Sequence, residues 1–169
     1  MNTAGARVVN VVLAGLGGQG VITASDILAQ AALHAGLDVK KAEIHGMSQR
    51  GGLVSSDVRF GERVFSPMVP PGEADYLLLL APTELDAMAG CLRPDGIVIG
   101  TDLVAAEDLP NKRSLNIALL GALSVHLELS AHLLRDAMLA ALPEKLHATN
   151  ERAFEIGRER ALARQAAGG

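Results

Sequence analysis

Two glycine-rich stretches carry the residue types that could do chemistry. The first is Glu43-Ile44-His45-Gly46-Met47-Ser48-Gln49-Arg50-Gly51-Gly52, which sets a histidine, a serine, a glutamine and an arginine among three glycines. Arg50 offers a planar fork to a phosphate or carboxylate. His45 can donate, accept or shuttle a proton. No cysteine, aspartate or second histidine stands close by at ligand spacing, so a metal site is not expected there. Ser48 has no base–acid pair evident in the sequence, so hydrolase chemistry is not expected either. The stretch could contact a ligand or another subunit, or it could be a loop braced by its own hydrogen bonds. Polar loops on rigid sheets commonly carry function.

The second stretch is Gly15-Leu16-Gly17-Gly18-Gln19-Gly20, which satisfies G-x-G-x-x-G at Gly15, Gly17 and Gly20. Glycines at this spacing allow a tight turn and let backbone approach a phosphate. A helix start beyond them offers unpaired N–H groups and the positive end of a dipole. A dinucleotide site would also need an acidic residue about 20 positions on, to hold a ribose hydroxyl. Asp38 and Glu43 are the candidates. The same turn could serve only to reverse the chain and pack closely. Gln19 could reach a ligand with its amide or hydrogen-bond the loop itself.

These stretches are positioned by an alternation of strand-like and helix-like segments. Residues 8–14 are short, apolar and β-branched, which predicts a buried strand. Apolar positions from Val21 to Ala35 recur at helical spacing, and Gly36 closes that helix. Residues 37–44 predict a second strand, so the His45–Gly52 stretch follows its carboxyl end, where open α/β sheets bind ligands. Residues 53–60 alternate loosely, and Arg63-Val64-Phe65 is expected to return as a hairpin beyond a Gly61-Glu62 turn. A proline-bearing loop covers 66–72. Strands are expected over 74–81 and 97–100, with a helix from Pro82 to about Leu92 and a turn at Pro94-Asp95-Gly96. Helices are expected over 117–129, 131–142 and 144–166, the last with a solvated charged face and pairs such as Glu155–Arg158. The pattern predicts one three-layer α/β/α, Rossmann-like domain over 1–169: a mostly parallel sheet with a β-hairpin and a helical C-terminal third.

Composition excludes several functions. The chain has 169 residues, a net charge of −4 and a pI near 5.7, and aromatics make up only 2% (Phe60, Phe65, Tyr76 and Phe154). Single-strand stacking platforms need exposed aromatics, and a nucleic-acid footprint needs a basic face, so no nucleic-acid partner is expected. The single cysteine, Cys91, can neither close an internal disulfide nor hold a cluster that needs four thiolates. It reads as a core or half-buried thiol. His126 and His132 read as satisfied polar groups on apolar helices, and Glu84 as a carboxylate suited to a first helical turn. The first apolar run, 8–16, is too short to span a membrane. A cytoplasmic, soluble protein with no membrane contact is expected.

The two stretches together resemble the gamma domain of the 2-oxoacid:ferredoxin oxidoreductases, the indolepyruvate type most of all. The likeness rests on 14–21 and 43–52 and extends through Val58-Arg59, Ser66-Pro67 and Gly72-Glu73-Ala74-Asp75. It continues at Asn116, Gly121-Ala122, Asn150, Ala153-Phe154 and Gly157, covering about 8–160. One stretch departs from it: 102–116 is short beside the family's connection, which leaves open whether the last part of the sheet is complete. The resemblance implies a subunit of an enzyme that oxidatively decarboxylates a 2-oxoacid with coenzyme A and reduces ferredoxin, or NAD as an alternative acceptor. Thiamine diphosphate and the [4Fe–4S] clusters would belong to a larger catalytic partner subunit, and this chain would not act alone. Gly15, Gly17, Gly18, Gln19, Gly20, His45, Ser48, Gln49, Arg50, Gly51 and Gly52 would face that partner and help shape a substrate or coenzyme A channel. The residues also admit a free-standing nucleotide-binding Rossmann domain, with Asp38 or Glu43 on the ribose, and a pure interaction module without a ligand.

Overall fold

A computed structural model describes residues 7–45 and 52–168. Five strands form one sheet in the order β2-β3-β1-β4-β5: β1 is Val9–Leu16, β2 Asp38–His45, β3 Leu53–Gly61, β4 Ala74–Leu79 and β5 Leu92–Gly100. β1 pairs in parallel with β4, and β4 with β5, whereas β3 runs antiparallel to both β1 and β2. Four strands therefore share one direction and β3 alone opposes them.

The antiparallel pairing corrects one expectation. β3 forms its hairpin with β2, across the 46–52 connection, and residues 63–65 form no strand. Val64 turns inward instead, and its amide donates to Asp38 Oδ2 at 2.8 Å. A Gly-Glu pair between apolar residues imitates a hairpin turn, but the long-range bond to Asp38 decides the path. A second difference lies in β5, which begins at Leu92. Ala74 pairs with Leu92 but Tyr76 with Ile97, so the Pro94–Gly96 turn is a bulge inside an edge strand.

The two faces of the sheet are covered unequally. Val11, Leu13, Val58, Leu78 and Ile99 face the larger core, beneath helices α1 (Val21–His34), α3 (Leu115–Ser124), α4 (Ala131–Ala141) and α5 (His147–Gly168). Val12, Ala14, Leu77 and Leu79 face a smaller core, which Val69, Met88 and Cys91 cover. Met88 and Cys91 come from a short helical stretch in which α2 (Leu85–Met88) is flanked by 3-10 turns, in place of one helix to Leu92.

The loop that carries Val69 is pinned to this second face. Arg59 Nη1 donates to the Ser66 and Met68 carbonyls at 2.8 and 3.3 Å, and the Val69 amide donates to Asp57 Oδ2 at 2.9 Å. Thus Val58-Arg59 and Ser66-Pro67, seven residues apart, form one structural unit.

The helical third is shorter at its joints than expected, because α3 ends at Ser124 and α5 starts at His147. α3 and α5 cross at glycines. A Cβ on Gly157 would stand 1.7 Å from the Ala118 carbonyl oxygen, and one on Gly121 would stand 2.1 Å from that of Phe154. Only hydrogen at these two positions permits the approach. The charged residues of α5 are also not merely solvated. Glu155 pairs with Arg135 of α4 rather than with Arg158, and Arg158 donates to Ser124 Oγ at 2.7 Å. The 102–114 stretch is short but packed: Leu103, Val104 and Leu109 are buried, and the sheet ends at β5.

Candidate functional site

The register of β1 and β3 places both glycine stretches at one end of the sheet. Leu16, the last residue of β1, faces Leu53, the first of β3, while His45, the last of β2, faces Val54. The Gly17 amide then donates to the Gly52 carbonyl at 3.0 Å. Of the second stretch, Glu43, Ile44, the backbone of His45 and Gly52 are described. Ser48, Gln49, Arg50 and Gly51 lie outside the described residues, as does the His45 side chain.

Within the first turn Gly15, Gly18 and Gly20 each have their own reason. Gly18 and Gly20 adopt φ +89° and +82°, in the left-handed region that glycine enters without a Cβ penalty. Gly15 is required by packing, because a Cβ there would stand 2.8 Å from Gln19 Oε1 and 3.0 Å from Leu80 Cβ.

Gln19 braces the turn. Its Oε1 accepts from the Leu16 amide at 2.7 Å, and its Nε2 donates to the Leu80 carbonyl at 3.3 Å. Both ends of the amide are thereby used inside the fold.

Asn116 is the residue whose role here spacing alone could not supply. It lies 96 positions beyond Gly20, yet its Nδ2 donates to the Gly20 carbonyl at 3.1 Å, fastening the start of α3 to the start of α1. A Cβ on Gly20 would meet that Nδ2 at 2.4 Å. The first-turn amides of α1 have no acceptor within the helix, since its first intrahelical bond runs from Ala24 to Gly20.

The acidic residues proposed for a ribose do not fit that role. Asp38 begins β2, opposite Gly61, at the other end of the sheet from the glycine turn. Its carboxylate receives the Val64 amide, a bond that lowers its pKa. Glu43 pairs with Lys41, which also reaches Asp26 at 2.6 Å. More basically, β3 stands between β1 and β2. That insertion moves the end of β2 one further strand away, to roughly 10 Å from β1 at ordinary strand spacing. In a dinucleotide fold the two strands are adjacent.

Other titratable groups lie elsewhere. Burial raises the pKa of Cys91, helped by the field of Asp57, so the thiol stays protonated and weakly nucleophilic. An iron–sulfur cluster does not fit a chain with one thiol. Among the described residues no group of three or more His, Cys, Asp or Glu could hold a metal ion. His132 pairs with Asp136 at 3.3 Å. No helix of the described residues is long and apolar enough to cross a membrane.

An α/β domain with helices on both sides of a mixed five-stranded sheet, and with the glycine turn after β1 bonded to Gly52 at the start of β3, defines the class. Residues 10–160 match the family model for pyruvate ferredoxin/flavodoxin oxidoreductase. The indolepyruvate oxidoreductase subunit IorB of Thermococcus kodakarensis is 34% identical, with 88% of this chain and 93% of that protein aligned. The same subunit of Pyrococcus horikoshii is 47% identical over 53% of this chain and 44% of its own length. The keto/oxoacid ferredoxin oxidoreductase gamma subunit of Geobacter sulfurreducens superimposes with a TM-score of 0.79 at 25% identity, covering 93% of this chain and 98% of that one. The chain belongs to the pyruvate ferredoxin/flavodoxin oxidoreductase family and is a gamma- or IorB-type subunit of a 2-oxoacid:ferredoxin oxidoreductase. Other subunits are therefore its partners.

Proposed function

We propose that this chain is the cluster-free subunit of an enzyme that oxidatively decarboxylates an aryl 2-oxoacid, with indolepyruvate the leading candidate. The overall reaction converts the 2-oxoacid, coenzyme A and two oxidised ferredoxins into acyl-CoA, carbon dioxide, two reduced ferredoxins and a proton. The aryl preference is supported by the names of the Thermococcus and Pyrococcus relatives. Thiamine diphosphate supplies the carbanion stabilisation that decarboxylation requires. It and the [4Fe–4S] clusters reside in a larger partner subunit, and the chain is inactive alone.

The observation that carries the reading is the Gly17–Gly52 bond. It joins the first glycine turn to the last residue of the second glycine-rich stretch. Gln19 holds the first turn rigid from inside, so its outward backbone is free to meet a partner or a coenzyme A phosphate. His45, Ser48, Gln49, Arg50 and Gly51 then line the channel side, with Arg50 as the anion clamp.

Anaerobic purification of the tagged chain from its own host tests the assembly. Iron and thiamine diphosphate should arrive with a larger partner. A colourless chain that comes down alone overturns the reading. In the assembled enzyme, Arg50→Ala should raise the apparent KM for coenzyme A or reduce assembly. Unchanged turnover, unchanged coenzyme A affinity and intact assembly together remove Arg50 and its loop from the channel.

A further inference from the structure

A cavity opens at the end of the sheet opposite the glycine turn after β1. It lies where β3 ends at Gly61 and where β1 and β4 begin, and it encloses about 680 Å³. That volume lies in the range of small-molecule sites, roughly 300–1,000 Å³. Its wall is apolar where Val9, Leu37 and Leu133 meet the ring of Tyr76.

Two polar features distinguish it from a packing gap. The first is His126. Its backbone carbonyl accepts from the Tyr76 hydroxyl at 3.1 Å and its ring stands 5.9 Å from the Tyr76 ring, but its imidazole has no hydrogen-bond partner among the described residues. Burial lowers its pKa, so at neutral pH the ring is uncharged and keeps one acceptor nitrogen.

The second feature is the charge of the lining. Of the charged residues there, Arg7 pairs with Asp75, so those two charges cancel. Glu62 and Glu128 also line the cavity, are exposed, and pair with no cation among the described residues. The lining is left net negative.

We propose that this cavity binds a small aromatic or branched aliphatic amine. Its apolar body lies against Tyr76, Val9 and Leu133, and its ammonium group sits between Glu62 and Glu128 with the His126 imidazole in reach as an acceptor. An ammonium is attracted both by the carboxylates and by the face of the tyrosine ring. A carboxylate of the same size meets two like charges. The site is separate from the glycine turns, and the proposal does not depend on which 2-oxoacid the complex uses.

The sequence supplies a probe. Tyr76 is the only tyrosine and there is no tryptophan, so tyrosine emission of the full chain reports on this cavity alone. Titrating the purified chain with phenethylamine should give a saturable change in that emission, and phenylacetate should bind at least tenfold more weakly. In the double variant Glu62→Gln/Glu128→Gln, which alters only exposed side chains, affinity for the amine should fall by roughly five- to tenfold, the size expected for two partly exposed charges. Phenylacetate should then approach it. No saturable change with phenethylamine up to about 10 mM, tenfold above a millimolar Kd, overturns the proposal. Equal binding of amine and carboxylate to the parent chain, or a double variant indistinguishable from it, does so as well.

Discussion

The Gly17 amide and the Gly52 carbonyl, 3.0 Å apart, join the turn after β1 to the connection that enters β3. Because β3 runs antiparallel to β1, its first residue, Leu53, lies opposite the last residue of β1, Leu16, and Gly52 meets the first turn. A wholly parallel sheet would have put a helix between the two segments. The antiparallel strand is thus what brings Gly52 to the first turn, and it also displaces β2 from the place a dinucleotide fold requires.

Gln19 gives a test that separates internal bracing from ligand contact. Gln19→Leu keeps the side-chain volume but leaves the Leu16 amide and the Leu80 carbonyl without their partners. Loss of bonds to such half-buried groups costs about 1–3 kcal/mol. Thermal unfolding of the isolated chain should show that loss with no ligand present. Unfolding indistinguishable from the parent would mean that the amide serves something outside the fold.

How much of this was legible beforehand depends on the range of the interaction. Strand β1, the glycine turn and α1 follow from a β-branched run, a G-x-G-x-x-G spacing and a 3.6-residue period, all local signals. Asn116 on Gly20 is a bond between elements 96 residues apart, and no local pattern encodes it. The hairpin expected at 53–65 failed for the same reason, since Val64 follows the carboxylate of Asp38, 26 residues earlier. Gln19 could have been assigned from the turn alone. A side-chain amide three residues beyond Leu16 is placed to cap that amide, much as Asx and Ser/Thr side chains do in turns.

The crossing of α3 and α5 should tolerate no side chain at Gly157. A methyl group there would lie 1.7 Å from the Ala118 carbonyl oxygen, which is backbone and cannot rotate away. Gly157→Ala should therefore cost at least the 1–3 kcal/mol typical of overpacking, despite the better helix propensity of alanine. Gly90→Ala serves as the control, because nothing lies within 4 Å of its Cβ position. Chemical denaturation should show a large fall in midpoint for the first and little change for the second. Equal midpoints would mean that the helices separate easily.

Asp57 should make stability depend on pH in an unusual direction. Burial raises its pKa above the ordinary 3.8, and the Val69 amide and Arg59 only partly oppose that shift. Between 3.8 and the raised value the folded chain holds a proton that the unfolded chain has released. Stability contributed by this group is therefore fully present below the ordinary value and lost as pH rises through the folded one. Other carboxylates titrate in the same range, so the informative quantity is the difference between parent and Asp57→Asn. Asparagine can still accept from the Val69 amide through Oδ1 but carries no charge to bury. The variant should gain on the parent as pH rises above the ordinary carboxylate value and through the interval where the parent's buried carboxylate ionises. Parallel stability curves for the two proteins across that interval would show that the buried carboxylate is as well solvated by Arg59 and the Val69 amide as it is by water.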